Sequence, residues 1–321
     1  MSKTSIAVAD SVFPDLKPAE AALAGLDFDL QIARSGSAED ILAVAADADA
    51  LFVTYAKITA EVIAGLNKCK VIGRFGIGTD NIDLKAAKDA GITVTYAPVY
   101  CLEEVSDHTI ALMLSLARKI PFSTAMVSSG RWEMPAVVPI RRLKGSTLGL
   151  VGIGNIAQAV IRKAQGFGIR TIAADPYAPD KLFADMNTEK VTLDELYEQS
   201  DFVSVHAPLT PETEKMINAD ALKKMKPGAF LVNTSRGPLI DVDALAAALD
   251  DGEIAGAGLD VLPQEPPAAD HPLFGRDNVI LTPHTGFYSE DALLDLQTTV
   301  ASDVAAVLAG QAPKYPVKLP G

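Results

Sequence analysis

The chain has 321 residues, 49% of them hydrophobic and 21% charged, and a formal net charge of −13 at pH 7. That length and apolar content suit two hydrophobic cores better than one. The acidic balance repels phosphate backbones, so nucleic acid is not expected as a direct partner.

At the start, Met1-Ser2-Lys3-Thr4 runs straight into a strand-like stretch at 6–9, without the pattern of a secretory signal. Short β-branched runs then alternate with helical patterns, which predicts α/β architecture: parallel sheets with helices on both faces. A first series of strands is expected at 6–9, 50–53, 71–75 and 93–96. From about 103 to 119, Ile110, Leu112, Met113, Leu114 and Leu116 follow one another without a breaker and predict one long helix. A second series is expected at 147–152, 171–175, 202–206, 230–233 and 257–261. Another helix is expected from about 291 to 309, and the tail with Pro313, Pro316 and Pro320 should be extended. No stretch approaches the roughly 20 apolar residues of a membrane span. Cys69 and Cys101 are isolated, which favours reduced thiols and a cytoplasmic protein.

The run Gly149-Leu150-Val151-Gly152-Ile153-Gly154-Asn155-Ile156-Ala157 reads as a strand, a glycine-rich turn and a helix. Gly152 permits the tight turn, Gly154 lets the backbone approach a pyrophosphate, and Ala157 allows close helix–strand packing. The helix start offers N–H groups and a partial positive charge to phosphates. Asp175 ends the next strand, where a carboxylate accepts ribose hydroxyls and repels a 2′-phosphate. Pro176-Tyr177 follow it without an arginine, so NAD is expected rather than NADP. This fingerprint opens the second series, so the residues before it need a domain of their own. The final helix, with no strand after it, can return to that domain. The expected division is therefore 1–101 with 288–321, against 102–287.

Arg236 follows the strand that ends in Asn233-Thr234-Ser235, on the side where open α/β sheets bind ligands. Alone it would read as a surface arginine in a turn, but its planar fork suits a carboxylate. Glu265 lies in Pro263-Gln264-Glu265-Pro266, and His284 in Thr282-Pro283-His284-Thr285-Gly286 after a further strand. A carboxylate beside an imidazole favours the imidazolium, which can give a proton to a ketone oxygen. His206, at a strand end before Ala207-Pro208, is expected to line the cofactor. His108 reads as a packing or capping residue in mid-helix, and His271 as a loop residue. No group has metal-ligand spacing.

Together these motifs resemble the D-isomer-specific 2-hydroxyacid dehydrogenases over nearly the whole chain. The matching stretches are Phe75-Gly76-Ile77-Gly78-Thr79-Asp80-Asn81, the fingerprint with Asp175, Asn233-Thr234-Ser235-Arg236-Gly237, Gly258-Leu259-Asp260-Val261 with Glu265, and Thr282-Pro283-His284. The resemblance implies two doubly wound parallel-sheet domains, a Rossmann cofactor domain and a flavodoxin-like substrate domain, with a cleft between them. It implies that Arg236 anchors the substrate carboxylate, that His284 is the general acid/base and that Glu265 pairs with it. It places the cofactor against Gly152, Gly154, Asn155, Ile156, Asp175, His206, Ala207, Pro208, Thr234, Ser235, Asp260 and Gly286. It places the substrate near Tyr55, Arg74, Phe287 and a cradle of N–H groups around Gly76, Ile77 and Gly78.

Arg74 and Tyr288-Ser289-Glu290 carry a likeness to the branch related to C-terminal-binding-protein corepressors, although Phe287 stands where those have tryptophan. That likeness leaves an NAD(H)-sensing binding protein as an alternative. Phosphoglycerate dehydrogenases are also similar: Thr54-Tyr55 stands where they carry an arginine–serine pair, and no regulatory domain is expected from the length, but Arg74 and Lys57 leave a 3-phosphoglycerate dehydrogenase lacking that domain as a further alternative. Glu265 departs from the glutamine of formate dehydrogenases. The expected activity is NAD-dependent interconversion of a small 2-oxo acid and its D-2-hydroxy acid. A homodimer is implied, and the helix at 112–116, Trp132 and the apolar stretch 135–140 could supply its interface.

Overall fold

A computed structural model describes residues 3–319; Pro320 of the expected extended tail lies outside them. In chain order the first elements are β1 (Thr4–Val8), α1 (Lys17–Ala22), β2 (Phe28–Ile32), α2 (Ala38–Ala45), β3 (Ala50–Val53), α3 (Ala60–Ala64), β4 (Val71–Arg74), α4 (Leu84–Asp89) and β5 (Thr93–Thr95). Next come α5 (Leu102–Ala117), α6 (Ile120–Ser128), β6 (Thr147–Val151), α7 (Asn155–Gly166), β7 (Arg170–Ala174), α8 (Asp180–Asp185), β8 (Glu189–Lys190) and α9 (Leu193–Gln199). The rest are β9 (Phe202–Val205), α10 (Ala219–Lys224), β10 (Phe230–Asn233), α11 (Val242–Asp250), β11 (Gly256–Leu259), β12 (Val279–Leu281) and α12 (Glu290–Leu308). They form two compact units, one of Met1–Tyr100 with Ser289–Gly321 and one of Cys101–Tyr288.

The first unit is a parallel sheet in the order β2-β1-β3-β4-β5. All four residues of β3 are buried, because helices cover both faces of the sheet. Ile41, Val62 and Ile63 pack on Leu51, Val53 and Ile72 on one face. On the other, Leu296, Val300 and Val304 of α12 pack on Phe52 and Phe75. The tail is extended: Pro316 bridges Thr95 in antiparallel sense, and Val317 N donates to Val94 O at 2.8 Å. The Asp303 carboxylate steers it there by accepting from the N–H groups of Lys314 and Tyr315 at 2.7 and 2.8 Å.

The second unit is a seven-stranded parallel sheet in the order β12-β11-β10-β9-β6-β7-β8. The strand order reverses between β6 and β9, the crevice where ligands bind in open sheets of this kind. Apolar clusters fill both faces, one around Leu231 and Leu259, the other around Leu150, Val160 and Val232. The helix expected to reach 119 ends at Ala117; Lys119 adopts left-handed backbone (φ 53°) and Pro121 opens α6 at 60° to α5. Among the described residues no single helix is long and apolar enough to cross a membrane.

Candidate active site

β6 delivers the chain to the switch point, and Gly152 makes the turn there with φ 96°, a conformation that strains any residue with a Cβ. A Cβ at Gly152 would also sit 2.9 Å from the His206 carbonyl oxygen at the end of β9. The exposed Gly154 caps α7, and a Cβ there would meet nothing within 4 Å, so the space over the helix start is open. Asn155, Ile156 and Ala157 carry the first N–H groups of the helix, which have no partner within it. Ala157 is fully buried against the sheet. Asp175 Oδ2 accepts from Ile153 N at 3.1 Å and Oδ1 from Tyr177 N at 3.0 Å, which leaves lone pairs on both oxygens. An open, donor-lined helix start with a carboxylate beside it fits a dinucleotide. His206 Nε2 lies 2.8 Å from Ser204 Oγ, and burial pushes the imidazole down to about 4, so the ring is neutral at physiological pH.

The next strands bring the charged residues in. β10 ends at Asn233, fully buried, whose Nδ2 donates to the Arg236 carbonyl oxygen at 2.8 Å and whose Oδ1 accepts from Ser235 N at 2.9 Å. This closes the turn that presents Arg236, and Arg236 Nη1 donates back to Ser235 O at 2.8 Å. Ser235 Oγ donates to Val205 O at 2.8 Å, so its hydroxyl hydrogen is already engaged. A side chain at Gly237 would strike the Leu262 carbonyl, so the Arg236 turn and the loop of Glu265 are in close contact.

Glu265 Oε1 accepts from Leu262 N at 2.9 Å, and Oε2 lies 2.7 Å from His284 Nδ1. Burial works against charge on Glu265, yet the hydrogen bond and charge of His284 and the Leu262 N–H hold its carboxyl below the ordinary value. An ionised carboxylate only accepts, so Nδ1 of His284 carries the hydrogen of that bond. Phe287 stands edge-on to the imidazole, with ring centroids 6.1 Å apart. His284 has left-handed backbone (φ 54°), a conformation that costs about 1–3 kcal/mol in a residue with a Cβ. It is held by its N–H, which donates to Asp260 O at 2.8 Å.

Asp260 is 3% exposed and binds the loop on both sides of His284. Its Oδ1 accepts from Thr282 Oγ1 at 2.6 Å and Thr285 N at 3.0 Å, and its Oδ2 from Gly286 N at 2.8 Å. Burial disfavours its charge, but His108, Thr282, Gly286 and Thr285 outweigh that and lower its pKa. His108 is therefore not the packing or capping residue expected of it: its Nε2 lies 2.8 Å from Thr282 Oγ1 and 3.3 Å from Asp260 Oδ1. The next residue, Thr109, lies 2.8 Å from Thr234 Oγ1 through its own Oγ1. Sequence reasoning missed Asn233, Thr109 and His108 as parts of the site. For His108 and Thr109 the available signal was polar residues among the apolar ones of α5, since such groups need partners.

In the first unit, Gly76 has φ 145° and lies against Arg74, whose guanidinium a Cβ at Gly76 would overlap. Arg74 is 7% exposed and donates from Nη1 to Phe75 O at 3.0 Å. Gly76 N donates to Arg74 O at 3.0 Å, so of the expected cradle its N–H is engaged. Tyr55 is exposed; its N–H and that of Thr54 donate to the Asp10 carboxylate at 2.7 and 2.8 Å.

Glycine turn, acid-terminated strand, imidazole–carboxylate pair and arginine turn, on a doubly wound sheet, describe a class of dinucleotide-dependent dehydrogenases. The chain belongs to the D-isomer-specific 2-hydroxyacid dehydrogenase family, whose NAD-binding domain matches residues 110–286. It is 41% identical over 294 residues to D-3-phosphoglycerate dehydrogenase of Methanocaldococcus jannaschii, covering 91% of this chain and 56% of that one. It is 40% identical over 257 residues to hydroxypyruvate reductase of Thermotoga maritima, covering 79% and 83%. A solved D-lactate dehydrogenase from Aquifex aeolicus, complexed with NAD and lactic acid, superposes with a TM-score of 0.89 at 29% identity, covering 99% and 100%. The chain spans about half the length of the phosphoglycerate dehydrogenases it matches.

Proposed function

We propose that the protein is an NAD-dependent oxidoreductase that interconverts a small 2-oxo acid and its D-2-hydroxy acid. The single observation that carries this reading is the 2.7 Å pair of His284 and Glu265, on a sheet whose switch point fits a dinucleotide. NAD, when bound, supplies the hydride chemistry. His284 gives a proton from Nε2 to the carbonyl oxygen in reduction and takes it back in oxidation. Glu265 holds the ring by Nδ1 and so fixes its orientation. Arg236 binds the substrate carboxylate with its planar fork and polarises the carbonyl. Ile77 and Gly78 supply further N–H groups to the carboxylate; among the described residues neither N–H has an acceptor within the chain. Asp175 accepts the ribose hydroxyls, and neutral His206 with Ala207 and Pro208 lines the cofactor. Asp10 supports an unphosphorylated substrate, because its carboxylate lies directly behind Thr54 and Tyr55 and repels a phosphate there.

A homodimer is part of the same proposal. Ile120, Val127, Trp132, Met134 and Val138 are large apolar residues exposed within one short segment, with Trp132 87% exposed. The cavity of about 510 Å³ beside them is lined by Pro121, Phe122, Pro139, Phe202, Phe230 and Ile280. An apolar patch of that density is typical of a surface that a second copy covers.

The test is NADH consumption with glyoxylate, pyruvate, hydroxypyruvate, branched and aromatic 2-oxo acids and a phosphorylated member. One clear favourite is expected, with His284→Ala reducing turnover by about 10²–10⁴-fold. Tight NADH binding without turnover of any 2-oxo acid would overturn the reading in favour of an NAD(H) sensor.

A further inference from the structure

We propose that His108 is a positioning residue: its Nε2–H locks Thr282 onto Asp260 and so fixes the loop that carries His284. The proposal rests on the reading of His284 as the acid/base.

Hydrogen counting assigns the direction of each bond. Thr282 Oγ1 has one hydrogen, which goes to Asp260 Oδ1 at 2.6 Å. Asp260 is held ionised by donors from Thr282, Thr285 and Gly286, and an ionised carboxylate has nothing to give. His108 Nε2, 2.8 Å from Thr282 Oγ1, must therefore be the donor, and it shares its hydrogen with Asp260 Oδ1 at 3.3 Å. With that bond Oδ1 faces three donors and Oδ2 one, and the carboxylate is almost fully committed to the protein. Asp260 then holds the loop and the His284 backbone, whose left-handed conformation would relax if the loop were released.

α5 makes the same kind of contact one residue on. Thr109 Oγ1 donates to Val105 O at 2.8 Å, so the 2.8 Å contact with Thr234 Oγ1 has Thr234 as donor. Consecutive residues of one helix thus grip the carboxyl ends of three adjacent strands: Thr234 after β10, Asp260 after β11 and Thr282 after β12. Arg236, Glu265 and His284 follow those same strands. The His108 ring also packs where a Cβ on Gly286 would fall, 3.3 Å from its Cδ2. Any flat or apolar side chain can fill that space; only a hydrogen-bond donor can complete the Thr282–Asp260 pair.

The experiment compares His108→Leu, His108→Gln and Thr282→Val with wild type. Steady-state kinetics use the preferred 2-oxo acid, NADH affinity is read by fluorescence, and the wild-type histidine tautomers are read by ¹⁵N NMR. The chain has only four histidines, so His108 is assigned by its disappearance in His108→Leu. The expected result is a protonated Nε2 at His108 and about a tenfold fall in kcat for His108→Leu and Thr282→Val, the scale of one lost buried hydrogen bond. NADH affinity and KM should stay within about twofold, and His108→Gln, whose amide presents an N–H at similar reach, should recover most of the kcat. An unprotonated Nε2, an unchanged kcat in both Leu and Val variants, or a Gln variant no better than Leu would overturn the proposal. If His108→Leu does not fold, the signal is assigned from His108→Gln instead, and it decides the matter together with Thr282→Val. If wild type turns over no 2-oxo acid, the proposed function fails by itself, and the tautomer still tests the bond.

Discussion

Glu265 and His284 are joined by a 2.7 Å hydrogen bond from Nδ1 to Oε2, while the other oxygen of the carboxylate is held by Leu262 N. The ring is thereby fixed in orientation and in tautomer.

Replacing Glu265 by glutamine keeps an acceptor and removes the charge. The part of the acid limb that protonation of Glu265 contributes in the wild type should then be missing from the variant's profile. At neutral pH turnover should fall roughly tenfold. The wild-type carboxyl sits below its ordinary value, so the pair persists through the usual carboxylate range and is lost as pH falls through the folded value. pH–rate profiles of both proteins check this; superimposable profiles would dissociate Glu265 from the acid/base.

Arg236→Lys should not preserve function, because an ammonium cannot make two parallel bonds to a carboxylate. KM should rise and kcat fall together, lowering kcat/KM by about 10²-fold or more. A lysine variant within threefold of wild type would remove the carboxylate-binding role.

Asp175→Ala should weaken NADH binding and narrow the gap between NADH and NADPH by about tenfold or more, an amount set by the lost ribose bonds and the relieved repulsion. Fluorescence titration with both cofactors reads it. Equal losses for the two would leave Asp175 with only its structural bonds to Ile153 and Tyr177.

Asp260→Asn should destabilise the second unit by about 2–4 kcal/mol, since an amide cannot accept from all the donors around it. The folded-state pKa of Asp260 is depressed, so its stabilisation is present above the unfolded value of about 4 and is lost as pH falls through the folded value. Urea unfolding should therefore separate the two proteins at neutral pH, and the difference should shrink in acid. A constant difference across that range would contradict the charge argument.

Trp132→Asp and Val138→Asp should each shift a dimer toward monomer in sedimentation velocity, because a charge must then be buried in an apolar contact. A dimer that survives both changes would place the interface elsewhere.

Strands such as β3 were legible in sequence because burial on both faces demands unbroken apolar runs. β2 and β8 were not among the expected strands. β2 is an edge strand whose Phe28-Asp29-Leu30-Gln31-Ile32 alternates, and β8 is only two residues long. The break after α5 was hidden because it depends on left-handed backbone at Lys119, which no residue preference announces, although Pro121 marks the restart. Arg236, Glu265 and His284 stood out as charges at the ends of apolar runs. His108 did not, since its partners, Asp260 and Thr282, lie more than 150 residues further along the chain.

α12 packs Val300 and Val304 within 3 Å of where a Cβ on Gly73 would lie, so the first sheet needs a helix that starts 195 residues after its last strand ends, at Glu290 against Thr95. On the ribosome, that sheet must therefore wait with one greasy face covered by α1 alone while the whole intervening unit is synthesised. The early strands are short, and β3 and β4 are apolar throughout apart from Arg74, which makes this interval the stage at which chaperones have most to protect.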